Sequence, residues 1–412
     1  MIYVYNLSIR IYQVLIQFAA LFGNSKARLW LNGRQNVFDI LQNKRIEKDK
    51  YIWFHAASLG EFEQGRPLIE RIKAEYPHYK IALTFFSPSG YEIRKNYPIA
   101  DLILYLPIDT KQNATKFLEL LNPSLVVFIK YEFWYHYLNE AIKRNIPVIY
   151  IAARFDKNMI YFRPYFTLFI PILQKIYHFF VQNESSAKTL NLYVNKNKSQ
   201  NITIAGDPRI DRVVGAAAET MSIPLINDFC NNSKILIAGS TWEKDIEILK
   251  ELKMPKDWKM IIAPHEIAEK NLKTIEGYWG KTVCCRYSAP NASSKVLIID
   301  NIGMLSSIYR YGTIAYIGGG FGAGIHNILE PMAFNLPVIF GPKYTKFEEA
   351  NEMIRQNAAF SISSGDSLKE TFSQLNKSEI YKNAAKKINE YMLDNQGATN
   401  KILDFCKLNL LH

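Results

Sequence analysis

The chain has 412 residues, 48% of them apolar, and a formal net charge of +12. Its length exceeds one typical core and points to two domains of about 200 residues each, and the absence of low-complexity tracts excludes a disordered or fibrous chain. The basic balance favours an anionic partner (nucleic acid, an anionic membrane or phosphorylated ligands), while Cys230, Cys284, Cys285 and Cys406, in no metal-ligand spacing, exclude a disulfide scaffold and a structural zinc site.

The opening stretch, MIYVYNLSIRIYQVLIQFAALFG, is apolar enough for a signal peptide or a membrane span, but no Lys or Arg precedes Arg10 to form a positive n-region. Asn6, Arg10, Gln13 and Gln17 recur as one polar helical stripe, which a span should lack. The remaining face carries Ile2, Tyr5, Ile9, Tyr12, Ile16 and Ala20. The pattern predicts a helix over residues 1–24 lying in a membrane interface on that face, with Lys26, Arg28 and Arg34 meeting anionic headgroups. The alternative is a helix packed on the protein's own core.

Beyond this helix, short apolar runs alternate with helical patterns. YIWFHAA, KIALTFF, DLILYLP, SLVVFIK, PVIYIAA, IYHFFVQ and ITIAG read as buried strands. PRIDRVVGAAAETMSIPLINDF breaks the rhythm and reads as a linker with a short helix. The alternation restarts with KILIAGS and continues through KMIIAPHE, KTVCCRY, KVLIID, TIAYIGGG, PVIFGP and AAFSIS. Such alternation predicts α/β architecture: two doubly wound parallel-sheet domains, 25–212 and 213–412, facing a cleft, with C-terminal helices able to pack back on the first.

The motifs fall at predicted strand ends. In WFHAASLGEFEQG the chain is expected to turn on Gly60 and hold Glu61 at the first position of the next helix, either answering the helix dipole or acting as a general base. A helix terminus lowers a carboxylate's pKa, which would weaken that base. Ser58 stands beside this turn, and in the same half Glu132 follows the strand SLVVFIK and Arg154 the next one, PVIYIAA. In YIGGGFGAGIHNILEP, Gly318, Gly319 and Gly320 would expose backbone amides to a ligand, with a helix starting near His326 and Asn327 and Glu330 one turn inside. In LIAGSTWEKD, Ser240 or Thr241 would cap a helix or hold a phosphate, and His265 ends another strand. Asp-x-Asp, Walker, nucleophile-elbow and first-turn dinucleotide motifs are missing.

With these residues in place the chain resembles the 3-deoxy-D-manno-octulosonic acid (Kdo) transferases of lipopolysaccharide assembly. The similarity runs in order through Gly33-Arg34, HAASLGE, YEFW, AAR, QNE, GDPRID, GSTWE, GIHNILEP and GP. It implies the GT-B fold of two Rossmann-like domains. It also implies inverting transfer of Kdo from CMP-Kdo to the 6'-hydroxyl of a tetraacylated lipid A precursor, at the cytoplasmic face of the inner membrane, with no cofactor or metal. Glu61 would be the base, with Ser58, Gly60, Glu132 and Arg154 binding the acceptor or positioning that base. Arg209, Ser240, Thr241, His265, Gly318–Gly320, His326, Asn327, Glu330 and Lys343 would bind the donor.

The chain departs from the family pattern at Lys130, where many members have glutamate, at Ile325, and at Ala263 and Ile267, where arginines are usual. Lys270, Lys343 or Arg209 would then supply the missing cation. The competing readings are another GT-B enzyme acting on a UDP-sugar, and a non-catalytic basic membrane-binding protein. Nucleic acid is not an expected partner, since the basic residues form no recognition module.

Overall fold

The computed structural model describes residues 1–46, 48–194, 201–280 and 282–411. It divides into two compact units, Met1–Asp211 with Asn395–His412, and Arg212–Asp394.

In the first unit, β1 (Lys50–Ala56), β2 (Tyr79–Phe85), β3 (Leu102–Tyr105), β4 (Pro123–Ile129), β5 (Val148–Ala153), β6 (His178–Val181) and β7 (Ile202–Ile204) form one sheet in the order β3-β2-β1-β4-β5-β6-β7. Every pairing is parallel. The strands read as continuous apolar runs because helices cover both faces. Trp53 packs with Phe117, Phe128 and Tyr137 on one side, and Ile52 and Phe54 pack with Phe62, Leu68 and Phe180 on the other. The sheet order reverses at β1, so the crevice for a ligand in this topology lies at the carboxyl ends of β1 and β4.

The second unit repeats the plan with β8 (Lys234–Thr241), β9 (Trp258–Pro264), β10 (Cys284–Arg286), β11 (Val296–Ile298), β12 (Ile314–Ile317), β13 (Val338–Phe340) and β14 (Ala359–Ser361), in the parallel order β10-β11-β9-β8-β12-β13-β14. Its switch point lies between β8 and β12.

The segment expected as a linker is instead two helices, Pro208–Glu219 and Pro224–Cys230, and the boundary between units falls inside the first. The helix Ala398–Asn409 belongs to the first unit. Ala398, Ile402, Leu403 and Cys406 enter its core, and the Asp211 carboxylate accepts the backbone N–H groups of Gly397 and Thr399.

The N-terminal helix, Ile2–Leu21, corrects the expected orientation. Tyr5, Ile9 and Ala20, on the face assigned to the membrane, are buried in the protein, with Ile2 and Ile16 packed beside them. The opposite face is the exposed one. Tyr3, Val4, Leu7, Ile11, Val14, Leu15 and Phe18 recur along it at helical spacing, each at least 46% accessible. Among the described residues no helix is long and apolar enough to cross a membrane.

Arg34 is likewise turned inward. Its guanidinium donates to the carbonyls of Trp30 (3.0 Å), Leu106 (2.8 Å) and Phe86 (2.7 Å) and lies 3.7 Å from the Trp30 ring centroid. Gly33 precedes it because a Cβ there would sit 2.1 Å from the Tyr105 ring.

Candidate active site

At the carboxyl end of β1, Ser58 is the extended N-cap residue of the helix Leu59–Glu75. Gly60 therefore lies in the first helical turn rather than forming a bend, and Glu61 is the third helical residue, not the first. From there its carboxylate reaches back to accept the N–H of Ala57, the residue before the cap, at 2.6 Å. Gly65, one turn on, lets the helix close onto Ile129 of β4, where a Cβ would meet that side chain at 2.3 Å.

This packing leaves Glu61 only 7% accessible. Burial raises its pKa above the ordinary glutamate range, opposed by the charge of Lys130 and by the amides of Ala57 and Ser58. The expected lowering by the helix terminus is present but is outweighed by desolvation.

Glu132 lies between β4 and the helix Tyr135–Lys143. Burial and then the neighbouring Glu61 charge push its pKa up to about 8, against Trp134 and Lys130. Two carboxylates that resist simultaneous ionisation, with one cation beside both, are an arrangement suited to proton transfer.

Trp134 donates its indole N–H to His55 Nε2 at 3.1 Å, and His55 Nδ1 is 2.8 Å from Thr84 Oγ1. His55 is fully buried, which lowers its pKa to about 3 and keeps it neutral. Arg154 follows β5, whose register shifts at its carboxyl end.

Among the described non-glycine residues with positive φ, all are asparagine except Lys130 (72°), Ala152 (49°) and Ser240 (53°). All three stand at or next to the carboxyl ends of strands that carry the candidate site. Such backbone conformations cost about 1–3 kcal/mol each and persist where the surroundings hold them.

In the second unit, Ser240 and Thr241 are the last residues of β8 and do not cap the helix that follows. Trp242 occupies the cap position and donates its backbone N–H to Asp245 at 2.9 Å. Asp245, 1% accessible, also accepts from Gly319 N (2.9 Å) and the Tyr316 hydroxyl (2.8 Å), so it ties the β8 turn to the β12 turn.

Gly318, Gly319 and Gly320 are buried, contrary to the expected exposure to ligand. Cβ atoms there would meet Ser240 O at 2.2 Å, Gly324 O at 2.5 Å and Gly341 N at 2.6 Å, so these glycines let protein backbones close on one another. The helix expected at His326 begins at Leu329 and runs only to Met332. Asn327 accepts the Leu329 N–H (3.1 Å) and its amide donates to Glu330 (3.2 Å).

The rings of Trp242, His265 and His326 cluster at this edge. His265 stacks on Trp242 at 4.4 Å and on His326 at 4.7 Å, and the Trp242 indole N–H donates to His326 Nε2 at 3.1 Å. Beside them a groove of about 370 Å³ is lined by Thr241, Trp242, Glu266, Lys270 and Tyr278, among others. The Thr241 hydroxyl is buried there without a hydrogen-bond partner.

Lys343 donates to Gly322 O (2.7 Å) and holds the glycine loop. Arg209 lies in the first unit, paired with Asp207 at 2.7 Å. Among the described residues no cluster of three or more His, Cys, Asp or Glu could hold a metal ion. Sequence reasoning missed His55, Lys130, Trp134, Trp242 and Asp245 as parts of these two edges.

Residues 32–212 match the family model of 3-deoxy-D-manno-octulosonic-acid transferase (kdotransferase). The chain is 26% identical over 370 residues to a 3-deoxy-D-manno-octulosonic acid transferase of Haemophilus influenzae, covering 86% of each chain. It is also 26% identical over 385 residues to a bifunctional glycosyltransferase/methyltransferase of Fusobacterium nucleatum; there 86% of this chain spans 58% of the longer relative.

Among solved structures it resembles the UDP-GlcNAc 2-epimerase of Neisseria meningitidis (TM-score 0.60, 18% identity, 88% of this chain and 100% of that one). It also resembles MurG of Acinetobacter baumannii (TM-score 0.56, 12% identity, 87% and 98%). At such identities the likeness establishes the fold, which is GT-B. Residues 32–212 are thus similar to the 3-deoxy-D-manno-octulosonic acid (Kdo) transferase domain, and relatives of that name align along most of the chain at about 26% identity.

Proposed function

We propose that this protein is an inverting glycosyltransferase that moves Kdo from CMP-Kdo to the 6'-hydroxyl of a tetraacylated lipid A precursor, without a metal. The observation that carries this reading is the buried Glu61 at the carboxyl end of β1, with Glu132 in the loop after the adjacent β4, at the switch point of the first sheet and within residues 32–212.

Inversion requires one base on the acceptor side. Glu61 takes the proton of the attacking hydroxyl, and its raised pKa strengthens it for that task. Glu132, largely protonated near neutral pH, leaves Glu61 to carry the pair's single charge. Lys130 steadies that charge from the β4 end.

The second unit holds CMP. Thr241 offers an unpaired hydroxyl, and His265 and Lys270 supply donors for the phosphate that leaves. The exposed apolar face of the N-terminal helix rests on the anionic cytoplasmic surface of the inner membrane, with Lys26 and Arg28 at its end.

The test is incubation with CMP-Kdo and the lipid A precursor, following the lipid by mass. Kdo increments, reduced by about 100-fold or more in Glu61→Gln, support the reading. A folded protein that binds CMP and adds nothing to the lipid overturns the acceptor assignment. Tighter binding of UDP than of CMP would favour a UDP-sugar enzyme instead.

A further inference from the structure

The inner face of the N-terminal helix reaches the segment that bears Glu132 by two routes. In the first, the Tyr5 hydroxyl donates to Asp109 Oδ2 (2.5 Å) and accepts the Tyr135 N–H (3.3 Å). Asp109 in turn accepts the amides of His136 and Tyr137, both at 3.1 Å, while His136 Nε2 lies 2.7 Å from Asn6 Oδ1. These contacts pin the first turn of the helix whose N-cap is Trp134, two residues from Glu132.

In the second route, Tyr12 meets Phe86 at 5.9 Å between ring centroids, and Phe86 lies 4.5 Å from Trp134. Trp134 then reaches His55 on β1. A helix serving only as an anchor needs an apolar outer face. It does not need a hydroxyl, an amide and a ring directed at the segment that bears Glu132.

We propose that the N-terminal helix is a positioning element of the acceptor site, in which Tyr5, Asn6 and Tyr12 fix the Glu132–His136 segment and so set where Glu132 stands against Glu61. This deepens the proposed transferase reading and rests on it for its catalytic consequence. The helix then has two separable roles on opposite faces. Deleting it would impair turnover even where no membrane has to be bound.

The groups facing Glu132 are Glu61 from the Leu59–Glu75 helix, Lys130 and Trp134 from its own loop, Tyr12 from the N-terminal helix, Tyr150 from β5, and Tyr161. Of these, Tyr12 alone comes from the N-terminal helix, so its substitution isolates that helix's influence.

The experiment compares full-length wild type, Tyr12→Leu, Tyr12→Phe and Tyr5→Phe with detergent-dispersed acceptor, so that membrane binding is not limiting. In parallel, the Glu132 carboxyl is titrated by 13C NMR of glutamate-labelled protein and assigned with Glu132→Gln. Tyr12→Leu should lower kcat roughly ten-fold, the scale of a small misplacement, with KM for CMP-Kdo unchanged. It should also move the Glu132 midpoint by about half a pH unit or more. Tyr12→Phe, which keeps the ring, should restore most of kcat.

A folded Tyr12→Leu protein with wild-type kcat and an unmoved Glu132 titration overturns the proposal. Should Tyr12→Leu not fold, Tyr5→Phe, which removes one oxygen, decides by the same two readouts. Should wild type transfer no Kdo, the transferase reading fails, and the Glu132 titration still tests the positioning role alone.

Discussion

Trp134 donates its indole N–H to His55 Nε2 across 3.1 Å, which leaves the imidazole proton on Nδ1, directed at Thr84 Oγ1 2.8 Å away. The same oxygen accepts the Trp53 indole N–H at 2.7 Å, and the Thr84 hydroxyl points to Phe54 O at 3.4 Å. One threonine on β2 thus satisfies two ring donors on β1 and, through His55, holds the tryptophan beside Glu132.

Thr84→Val keeps the shape and removes the acceptor, so two buried N–H groups lose their partner. Each such loss costs about 1–3 kcal/mol. Urea unfolding should show Thr84→Val less stable than wild type by about 2–6 kcal/mol, and Thr84→Ser should recover most of it. Equal stability of valine and threonine would mean that the network carries no net energy.

The acid pair predicts a pH dependence whose sign follows from the raised Glu132 pKa. In the unfolded chain Glu132 ionises in the ordinary glutamate range, and in the folded protein only near 8. Between those values the folded state holds the extra proton, so stability falls as pH rises. The slope from this one group is up to about 1.4 kcal/mol per pH unit. Glu132→Gln should therefore raise the thermal midpoint relative to wild type more at pH 8 than at pH 5. Calorimetry at the two values checks it, and a pH-independent difference would refute the shifted titration.

The strands were legible because a strand buried on both faces leaves a nearly uninterrupted apolar run, as in SLVVFIK, too short for a helix of the usual length and bounded by polar helical patterns. The placement of Glu61, Glu132 and Ser240 near strand ends followed from those runs. The orientation of the N-terminal helix was not legible. Both of its faces are apolar, and periodicity reports that a face is apolar without saying what covers it.

Gly318–Gly320 posed a similar ambiguity. Missing side chains admit a ligand or another backbone equally, and only the proximity of Ser240, Gly324 and Gly341 decides for backbone. The cap of the helix after β8 was hidden because Trp242 is no usual capping residue. The clue available was Asp245 three positions later, an acid at the spacing from which it can reach back to the cap's amide.

Gly60 and Gly33 carry opposite predictions. Gly60 is helical and exposed, and a Cβ on it would touch nothing within 4 Å. Gly60→Ala should stabilise the protein by about 0.5–1 kcal/mol through helix propensity. If the acceptor hydroxyl approaches Glu61 over this open turn, the same methyl should also raise the acceptor KM. Gly33→Ala drives a Cβ into Tyr105, whose ring centroid lies 4.1 Å from that of Tyr91, and should destabilise by about 1–3 kcal/mol. Thermal melts with acceptor titrations on both variants check the contrast, and a destabilised Gly60→Ala would contradict the open geometry.

The outer face of the N-terminal helix makes the last prediction. Leu7, Leu15 and Phe18 are 58%, 60% and 54% accessible and lie on the face away from the protein core. Insertion of each into an acyl layer is worth about 1–2 kcal/mol at 25 cal/mol per Å² of apolar area, so each change to serine should weaken binding to anionic vesicles roughly five- to thirty-fold. Lys26 and Arg28 add an electrostatic part that salt screens. Raising salt should therefore weaken wild type and the serine variants by the same factor, since the apolar loss is not screened. Cosedimentation with phosphatidylglycerol-containing vesicles at two salt concentrations measures both parts. Serine variants that bind as tightly as wild type would move the membrane contact to some other surface, while leaving the inner face of the helix and its hold on Glu132 untouched.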